Sequence, residues 1–478
     1  MKSRLLLIVI FPAAMIVLLA GCQVFPGIFP SSAAGGSSQP TPAPLTGGQA
    51  STAGASALLQ VQKPGNNGSL LEPFSATTGE PVDAAAPIDF GQDAQYAFSP
   101  DRRLLAFATS STKDCLDKCL HLLDMKTWKE TIAPVVLSSD GSLWAMLAFN
   151  QAGTQVAVVL NNTINLGASL LLVDLSQDKV IRQAQLASYI LQIGFTSDNS
   201  LAVYGNRQPQ PGKADIMYVA LYDSSSLQLK WQQDVDLVTF SNEADMNLAD
   251  PSQGRYLYPA AAFSSNGNYL YVVAADVPRL VTVDFSRRSV SSADIHPPQS
   301  LLERLLASTA SVVYAKTLNG TTKTGVLSLD GRYMFVVGQT STAVKDNNGD
   351  WTAKLTPLGL QVIDLSDGVE VAHVATPAED VSVSLDGKIL LLRGYGQSTS
   401  GTSQPWTDLL DAATYKVVDH YVSLLIPSRL LNGDLVWLST IWSDSGNNQL
   451  AIYDTATRLL RVQREGSLNE DASWISIP

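Results

Sequence analysis

The sequence has 478 residues, and its 31 lysines and arginines against 43 aspartates and glutamates give a net charge of −12 at pH 7. Such an acidic chain gains nothing from counterion release on a phosphate backbone, which argues against nucleic acid as a partner. Since 45% of the residues are hydrophobic and only 15% are charged, the chain can build a sizeable core.

The first residues have the features of a secretory signal. Lys2 and Arg4 form a short positive region, and an apolar stretch from Leu5 to Leu19 follows, interrupted once by Pro12. In such signals the charge stays on the cytoplasmic side while a short apolar segment enters the translocon. The stretch is shorter than the roughly 20 apolar residues that a membrane-spanning helix needs. The sequence therefore predicts a cleaved signal.

The apolar stretch ends at Leu19-Ala20-Gly21-Cys22, which resembles the lipobox of bacterial lipoprotein signals. The resemblance implies a signal peptide over residues 1–21, cleavage before Cys22, and diacylation of that cysteine as the new N-terminus. Two acyl chains give stable anchoring where one gives only marginal binding. We expect an exported protein, lipid-anchored to the cell membrane on its extracytoplasmic side, either periplasmic or at the cell surface. The alternatives are an ordinary secretory signal and an anchor helix with a chance cysteine.

Residues 22–56 comprise this cysteine and a stretch rich in Pro, Gly, Ser, Ala and Thr, with no charged side chain from residue 31 to 56. Such a composition cannot bury enough apolar surface to offset the entropy of ordering it. We predict a flexible tether, whose end-to-end distance as a random coil is roughly 30–35 Å. Without the signal peptide the chain has 29 basic against 43 acidic side chains, which argues against electrostatic adhesion to anionic lipid.

A repeated pattern fills residues 57–478 and is the basis of the fold prediction. Each unit has an apolar strand, a tight polar turn and a second apolar strand. The seven turns lie within residues 97–101, 148–153, 194–198, 262–267, 326–331, 383–387 and 430–434. A third strand follows each turn and ends in an aspartate. These aspartates are Asp124, Asp174, Asp223, Asp284, Asp364, Asp411 and Asp454.

The pattern predicts an all-β fold, a seven-bladed β-propeller of four-stranded antiparallel blades, preceded by the signal peptide and the disordered tether. Asp-Gly and Asn-Gly supply the positive φ angles of tight hairpins, and a small sheet that cannot bury both faces alone can do so when seven stack around an axis. The strand-ending aspartates are predicted to accept backbone N–H bonds in turns. A leftover strand, 473–477, could pair with residues 58–62, and an eighth partial blade stays open.

The units resemble two propeller families. Residues 98–101, Phe-Ser-Pro-Asp, are similar to the first hairpin of WD repeats, although Leu-Asp, Val-Asp and similar pairs replace the expected Trp-Asp. Residues 268–273 and 450–457 are closer to YVTN-type repeats. That resemblance implies an extracytoplasmic seven-bladed propeller, and its family includes lactonase and amine-dehydrogenase-like groups. It supports a fold, whereas activity depends on a site.

Cys115 and Cys119 are the two cysteines after Cys22. Export to an oxidising compartment favours a local disulfide between them, and a loop that turns back can bring their Cα atoms within bridging range. A metal site with Asp114, Asp117 and His121 is the weaker alternative, because no second Cys or His pair stands at zinc spacing.

No catalytic residue can be assigned from motifs, and we predict no cofactor. The sequence has no Gly-x-Ser-x-Gly elbow and no His-Glu-x-x-His. The four histidines are scattered over different units and are expected to be ordinary surface or turn residues: His121, His296, His373 and His420. Oxygen ligands at Asp346, Asn348 and Asp350 would suit Ca²⁺, but the same segment is typical of a long hairpin tip, so no metal is predicted.

Two functional hypotheses remain. The first is a non-catalytic binding or protein-interaction scaffold, held at the membrane through Cys22, with another envelope protein or a surface glycan as its partner. The second is a propeller enzyme or enzyme subunit of lactonase-like or amine-dehydrogenase-like type. An enzyme of the lactonase type should gather charged side chains around one mouth of the central channel, and the sequence does not mark such residues.

Overall fold

A computed structural model describes residues 56–63, 68–82, 86–110, 112–140, 143–162, 167–208, 215–243, 255–296, 320–345, 351–397, 403–441, 448–468 and 472–478. The regular structure of these residues is β-strand, as predicted. Within them, no helix has the length and apolarity that crossing a membrane requires.

The strands are short and rich in β-branched and aromatic residues, which favour the extended backbone. In the first half of the chain they are β1 (Ser56–Gln62), β2 (Ser69–Ser75), β3 (Ile88–Phe98), β4 (Leu104–Ser110), β5 (Lys118–Asp124), β6 (Lys129–Glu130), β7 (Val135–Ser138), β8 (Trp144–Phe149), β9 (Gln155–Asn162), β10 (Gly167–Asp174), β11 (Lys179–Leu186), β12 (Tyr189–Phe195), β13 (Leu201–Arg207), β14 (Asp215–Tyr222), β15 (Leu229–Glu243) and β16 (Arg255–Tyr258). In the second half they are β17 (Ala260–Phe263), β18 (Tyr269–Val273), β19 (Arg279–Asp284), β20 (Ser289–Asp294), β21 (Gly320–Leu327), β22 (Tyr333–Lys345), β23 (Trp351–Pro357), β24 (Leu360–Asp364), β25 (Glu370–Val374), β26 (Asp380–Val383), β27 (Ile389–Gln397), β28 (Ser403–Asp411), β29 (Val417–Tyr421), β30 (Leu424–Arg429), β31 (Leu435–Ile441), β32 (Asn448–Asp454), β33 (Leu460–Leu468) and β34 (Ala472–Ile475).

Each of the seven repeat units forms one four-stranded antiparallel blade, which confirms the predicted blades. Blade 1 consists of the end of β3 with β4, β5 and the short β6 and β7; blades 2, 3 and 4 are β8–β11, β12–β15 and β17–β20; blade 5 is β21, β22, β24 and β25; blades 6 and 7 are β26–β29 and β30–β33. The insertion after blade 3 forms β16, which pairs with the end of β15 and, in parallel, with the start of β21.

The two ends of the chain form a further four-stranded sheet, the closing blade, in the order β34, β1, β2 and the start of β3. Its central pairing sets Leu58 opposite Ile475 and Leu59 opposite Trp474. The sequence had left open whether the chain has seven or eight blades, and the described residues contain this eighth sheet. The seven repeat units form the other seven sheets.

Buried side chains join the sheets into a ring. Between each pair of neighbouring blades lies one apolar cluster, and the last two clusters join the closing blade to blade 7 and to blade 1. Small sheets with two apolar faces bury both faces only when the ring of sheets is closed. The first strands of blades 1 and 2, 2 and 3, 4 and 5, and 5 and 6 contact one another, so the first strands face the central axis.

The two edges of the ring differ. Strand register places each first hairpin and each strand-ending aspartate at the same edge, which we call the turn face; in blade 2, for example, Asp174 lies opposite Gln155, just after the hairpin. The opposite edge, which we call the loop face, has the connections from second to third strands and from one blade to the next. Tight turns make the turn face regular, whereas the loop face is free to vary.

Candidate functional site

Four side chains at the loop-face end of blade 6 interact with one another, and we call them, together with Lys323 of the neighbouring blade 5, the charged rim: Lys323, Glu379, Asp380, Arg393 and Tyr395. Lys323 belongs to the first strand of blade 5, while Asp380 starts the first strand of blade 6 and pairs with Arg393 on the second. The first strands of these two blades pack together around the axis. The ring therefore brings together residues that lie far apart in the sequence.

Hydrogen bonds from the rim link four blades. Arg393 forms an ion pair with Asp380, and its Nη1 donates to the carbonyl oxygen of Leu425 in blade 7 at 3.1 Å. The Thr324 hydroxyl of blade 5 donates to the carbonyl oxygen of Glu379 at 3.1 Å. The ammonium group of Lys323 donates to the carbonyl oxygen of Ala274 in blade 4 at 2.6 Å. The rim thus fixes these blades relative to each other on the loop face.

The protonation of the rim is shifted by its surroundings. Burial lowers the pKa of Lys323 to about 8, against the opposing charges of Asp276 and Glu370. Burial also raises the pKa of Asp380, although Arg393 lowers it. The pKa of Glu379 is raised by burial and by the neighbouring charge of Asp380.

Two buried polar atoms beside the rim have no hydrogen-bond partner among the described residues, the Nε of Arg393 and the hydroxyl of Ser382. Such atoms are costly to bury unless something pairs with them. The Tyr395 side chain is 42% exposed and gives access to the cluster from outside. This arrangement can bind a polar group.

A shallow pocket of about 320 Å³ lies in blade 5, on the segment that leads to the rim, and is lined by residues 357–359, 373 and 375–377. His373 lies on its wall and its Nδ1 is 2.7 Å from Oε1 of Glu370. Gln361 donates to the other oxygen of Glu370 at 3.1 Å. The paired carboxylate orients the imidazole, whose Nε2 lies against Gly359.

The other histidines are dispersed, as expected, but one is not at the surface. His121 is buried on β5 and stacks on Phe107 with ring centroids 4.8 Å apart, so the expected surface or turn position is wrong for it. The reason is that β5 is buried on both of its faces, because the neighbouring blades cover blade 1 on either side. His420 lies near Asp408, with Nδ1 2.6 Å from Oδ1. Among the described residues, no three His, Cys, Asp or Glu side chains group as metal ligands would.

The predicted disulfide is present and lies on the loop face. Cys115, in the connection between β4 and β5, is bonded to Cys119 near the start of β5, with Cα atoms 6.5 Å apart. Cys119 is buried and anchors the bridge in blade 1, while Leu116 in the closed loop is 83% exposed. The bridge therefore holds an apolar side chain out into solvent on the loop face.

The strand-ending aspartates are turn residues, as predicted. The Oδ1 of each accepts a backbone N–H from two or three residues further on, at 2.8 to 3.0 Å. At Asp223, hydrogen bonds from the Ser225 and Ser226 side chains lower the pKa to about 2. These carboxylates are occupied by their own turns and form no shared site.

Several residues named from the sequence lie outside the described part of the chain. They are the lipobox residues Leu19, Ala20, Gly21 and Cys22, the tether, and the calcium candidates Asp346, Asn348 and Asp350. Their roles stay predictions.

Eight sheets stacked around an axis define a β-propeller, and one solved structure with a TM-score above 0.5 has a similar fold. Dihydro-heme d1 dehydrogenase NirN in complex with DHE is similar, with a TM-score of 0.53, 14% identity, and coverage of 87% of this chain and 75% of that one. AztD from Citrobacter koseri has a TM-score of 0.47 and 10% identity over 86% and 95% of the two chains. A eukaryotic initiation factor has a TM-score of 0.46 and 12% identity over 88% and 91%.

No protein-family model matches the chain, and no curated protein matches it either. At these identities the similarity to solved structures shows the fold alone. The function must therefore be argued from the faces of the ring.

Proposed function

We propose that the chain is a membrane-anchored extracytoplasmic lipoprotein with YVTN-type blades, whose loop face binds another envelope protein or a surface glycan. In this proposal the lipid on Cys22 provides the anchor, the tether provides reach, and the charged rim with its exposed neighbours provides the contact surface.

The proposal rests on the place where the tether joins the ring. The carbonyl oxygen of Ser56, the first described residue, accepts a hydrogen bond at 2.8 Å from the backbone N–H of Leu431. Leu431 lies in the first hairpin of blade 7, so the tether joins the ring at the turn face. The loop face, with Leu116, Tyr395 and the charged rim, is at the opposite edge from the attachment point.

This arrangement favours binding over a purely structural role. A tether of roughly 30–35 Å that enters at the turn face leaves the loop face free to meet molecules away from the lipid. Exposed apolar groups rimmed by polar ones are typical of interaction surfaces. Tethering also raises the local concentration of the binding face toward other envelope components.

The anchor is tested by replacing the lipidated cysteine. We expect the Cys22→Ser variant to move from the membrane fraction to the soluble exported fraction, because no acyl chain holds it. The matched control is Cys119→Ser, which removes the disulfide and leaves the anchor. Fractionation and intact mass of the N-terminal peptide measure the result; a Cys22→Ser protein that stays fully with the membrane, at an unmodified mass, contradicts the anchor.

A propeller enzyme of lactonase-like or amine-dehydrogenase-like type is the second candidate, favoured by one observation. Burial raises the pKa values of the adjacent Glu379 and Asp380 on blade 6 and lowers the pKa of Lys323 on blade 5 to about 8, and acids and bases with shifted pKa values are typical of catalytic sites. Turnover of a lactone, or of an amine with an artificial electron acceptor, that Glu379→Gln abolishes would select this candidate over binding alone.

A further inference from the structure

One of the seven first hairpins has an arginine at its fourth position, where the other six have glycine or asparagine. At the fourth position of each hairpin the backbone is left-handed, with φ between +61° and +93°. Glycine occupies this position five times and asparagine once: Gly153, Gly267, Gly331, Gly387, Gly433 and Asn199. In blade 1 the residue is Arg102, at φ +61°. A side chain with a β-carbon costs roughly 1–2 kcal/mol in this conformation, so an arginine here calls for an explanation.

A second arginine breaks the pattern at another hairpin of the same face. The residue just before each hairpin closes the first strand and is apolar in six blades: Phe98, Phe149, Phe195, Phe263, Leu327 and Val383. In blade 7 the residue is Arg429, at the end of β30. A guanidinium group thus replaces a phenyl or aliphatic group at a position that elsewhere belongs to the apolar clusters between blades.

The hairpins that carry the two exceptions lie together across the closing blade, since Leu431 of blade 7 packs in the same apolar cluster as Tyr96 and Phe98 of blade 1. The backbone N–H of Arg429 donates to the carbonyl oxygen of Ile477 at 3.0 Å, and Tyr96 of blade 1 lies close to the backbone of Ser476. Burial lowers the pKa of Arg429, and the charge of Arg102 lowers it further. Burial lowers the pKa of Arg102 as well.

Nothing in the described part of the chain neutralises this pair. No acidic side chain contributes to the pKa of either arginine. The Nε of Arg429 is buried without a hydrogen-bond partner among the described residues. Two half-buried like charges with unpaired donors repel each other and stabilise the fold only if an anion joins them.

We propose that Arg102 and Arg429 form a binding site for an oxyanion of the phosphate class at the turn face, near the axis. Guanidinium groups present planar pairs of N–H donors that match phosphate and carboxylate oxygens. A free inorganic phosphate or a phospholipid headgroup would present the same oxygens. The tether joins the ring two residues beyond Arg429, through Leu431 and Ser56, so the proposed function would bring this face toward a lipid surface. The site itself does not depend on that function.

The repeats supply variants that restore the common pattern without disturbing the fold. Arg102→Gly introduces the residue of five sibling hairpins, and Arg429→Leu introduces a residue type that closes the first strand of blade 5. The control is Arg288→Gly, which removes an exposed arginine that is also left-handed, at φ +54°, in a turn of blade 4. All three remove one positive charge, so only the place of the charge differs.

The test measures the melting temperature of the full lipidated chain in detergent, with sodium phosphate or sodium chloride at equal ionic strength. We expect phosphate to raise the melting temperature of the wild type and of Arg288→Gly, and the apparent affinity for phosphate to fall at least tenfold in Arg102→Gly and in Arg429→Leu. In chloride, both site variants should melt higher than the wild type, since strain or repulsion has been removed. An equal phosphate response in all four proteins, or none in the wild type, overturns the site.

A second arm identifies the source of the oxyanion. The wild type is reconstituted in vesicles of phosphatidylcholine with or without one-third phosphatidylglycerol. If the headgroup is the ligand, phosphatidylglycerol raises the melting temperature of the wild type but not of Arg102→Gly, and added phosphate then has little further effect. If a free anion is the ligand, phosphate acts equally in both vesicles. Either outcome supports the site, whereas a phosphatidylglycerol response equal in wild type and variant overturns it.

Discussion

Replacing Asp380 by alanine should lower the free energy of unfolding by about 3 kcal/mol, since removing one partner of a buried ion pair leaves the other charge uncompensated. The Arg393 side chain is only 4% exposed. Its remaining hydrogen bond to Leu425 does not neutralise the charge. Denaturant unfolding measures the loss, and we expect the double variant Asp380→Leu with Arg393→Met to recover most of it, because a paired apolar replacement leaves no unpaired charge.

The matched control is Asp294→Ala, which breaks the pair with Arg279 on the outer strand of blade 4. There the nitrogen and oxygen are 3.6 Å apart and the Asp294 side chain is 67% exposed. Exposed pairs contribute about 0–1 kcal/mol. If Asp380→Ala costs no more than Asp294→Ala, the rim is a solvated surface cluster and does not join the blades.

Replacing Trp474 by alanine should cost about 3–5 kcal/mol, the range for large aromatic residues in cores. Trp474 is 4% exposed and lies in the cluster between the closing blade and blade 7. Its indole N–H donates to the carbonyl oxygen of Ser439 at 2.8 Å, and its ring meets Phe74 edge-on at 5.3 Å. The side chain therefore fastens β34 to β2 of the closing blade and to β31 of the last repeat at once.

The place where Trp474→Ala loses protection from hydrogen exchange distinguishes a role in ring closure from a general loss of stability. Hydrogen exchange should speed up first in β1 and β34 and leave blades 3 and 4 unchanged. As a control, Trp231→Ala removes a half-buried tryptophan from the outer strand of blade 3 and should leave exchange in β1 and β34 as it was. Uniform acceleration around the ring in Trp474→Ala would contradict the closing role of this residue.

The fold was accessible from the sequence because each unit repeats local chemistry. A left-handed glycine at Gly267 or Gly331 and an aspartate that accepts its own turn's N–H groups are short-range features. The pairing of residues 58–62 with 473–477 was also foreseen. The remainder of the closing blade was not, because β2 and the start of β3 lack the Asp-Gly hairpin of the repeat units, and the sheet they form with β1 is completed only by the pairing of β1 with β34.

The charged rim was not accessible in the same way. Asp380 and Arg393 meet across the β26–β27 hairpin, but their link to blade 7 through Leu425 and the link of Lys323 to blade 4 form only when the blades pack side by side. The sequence nevertheless contains a signal. Arg393 interrupts an apolar strand, and Arg429 stands where the other units have an apolar residue before the first hairpin. Charged residues at positions that sibling units keep apolar mark the places where a repeat protein departs from its scaffold, and comparing units position by position would have found them.

Photo-crosslinking from the two faces tests the central claim most directly. A photoreactive phenylalanine is placed at exposed apolar positions of the anchored protein in its native envelope, at Leu116 or Tyr395 on the loop face and at Leu329 or Leu459 on the turn face; these side chains are between 42% and 83% exposed. A binding loop face predicts discrete adducts of one size from Leu116 and Tyr395 and none of that size from Leu329 and Leu459. Adducts from the turn face alone, or none from either loop-face position, would contradict it.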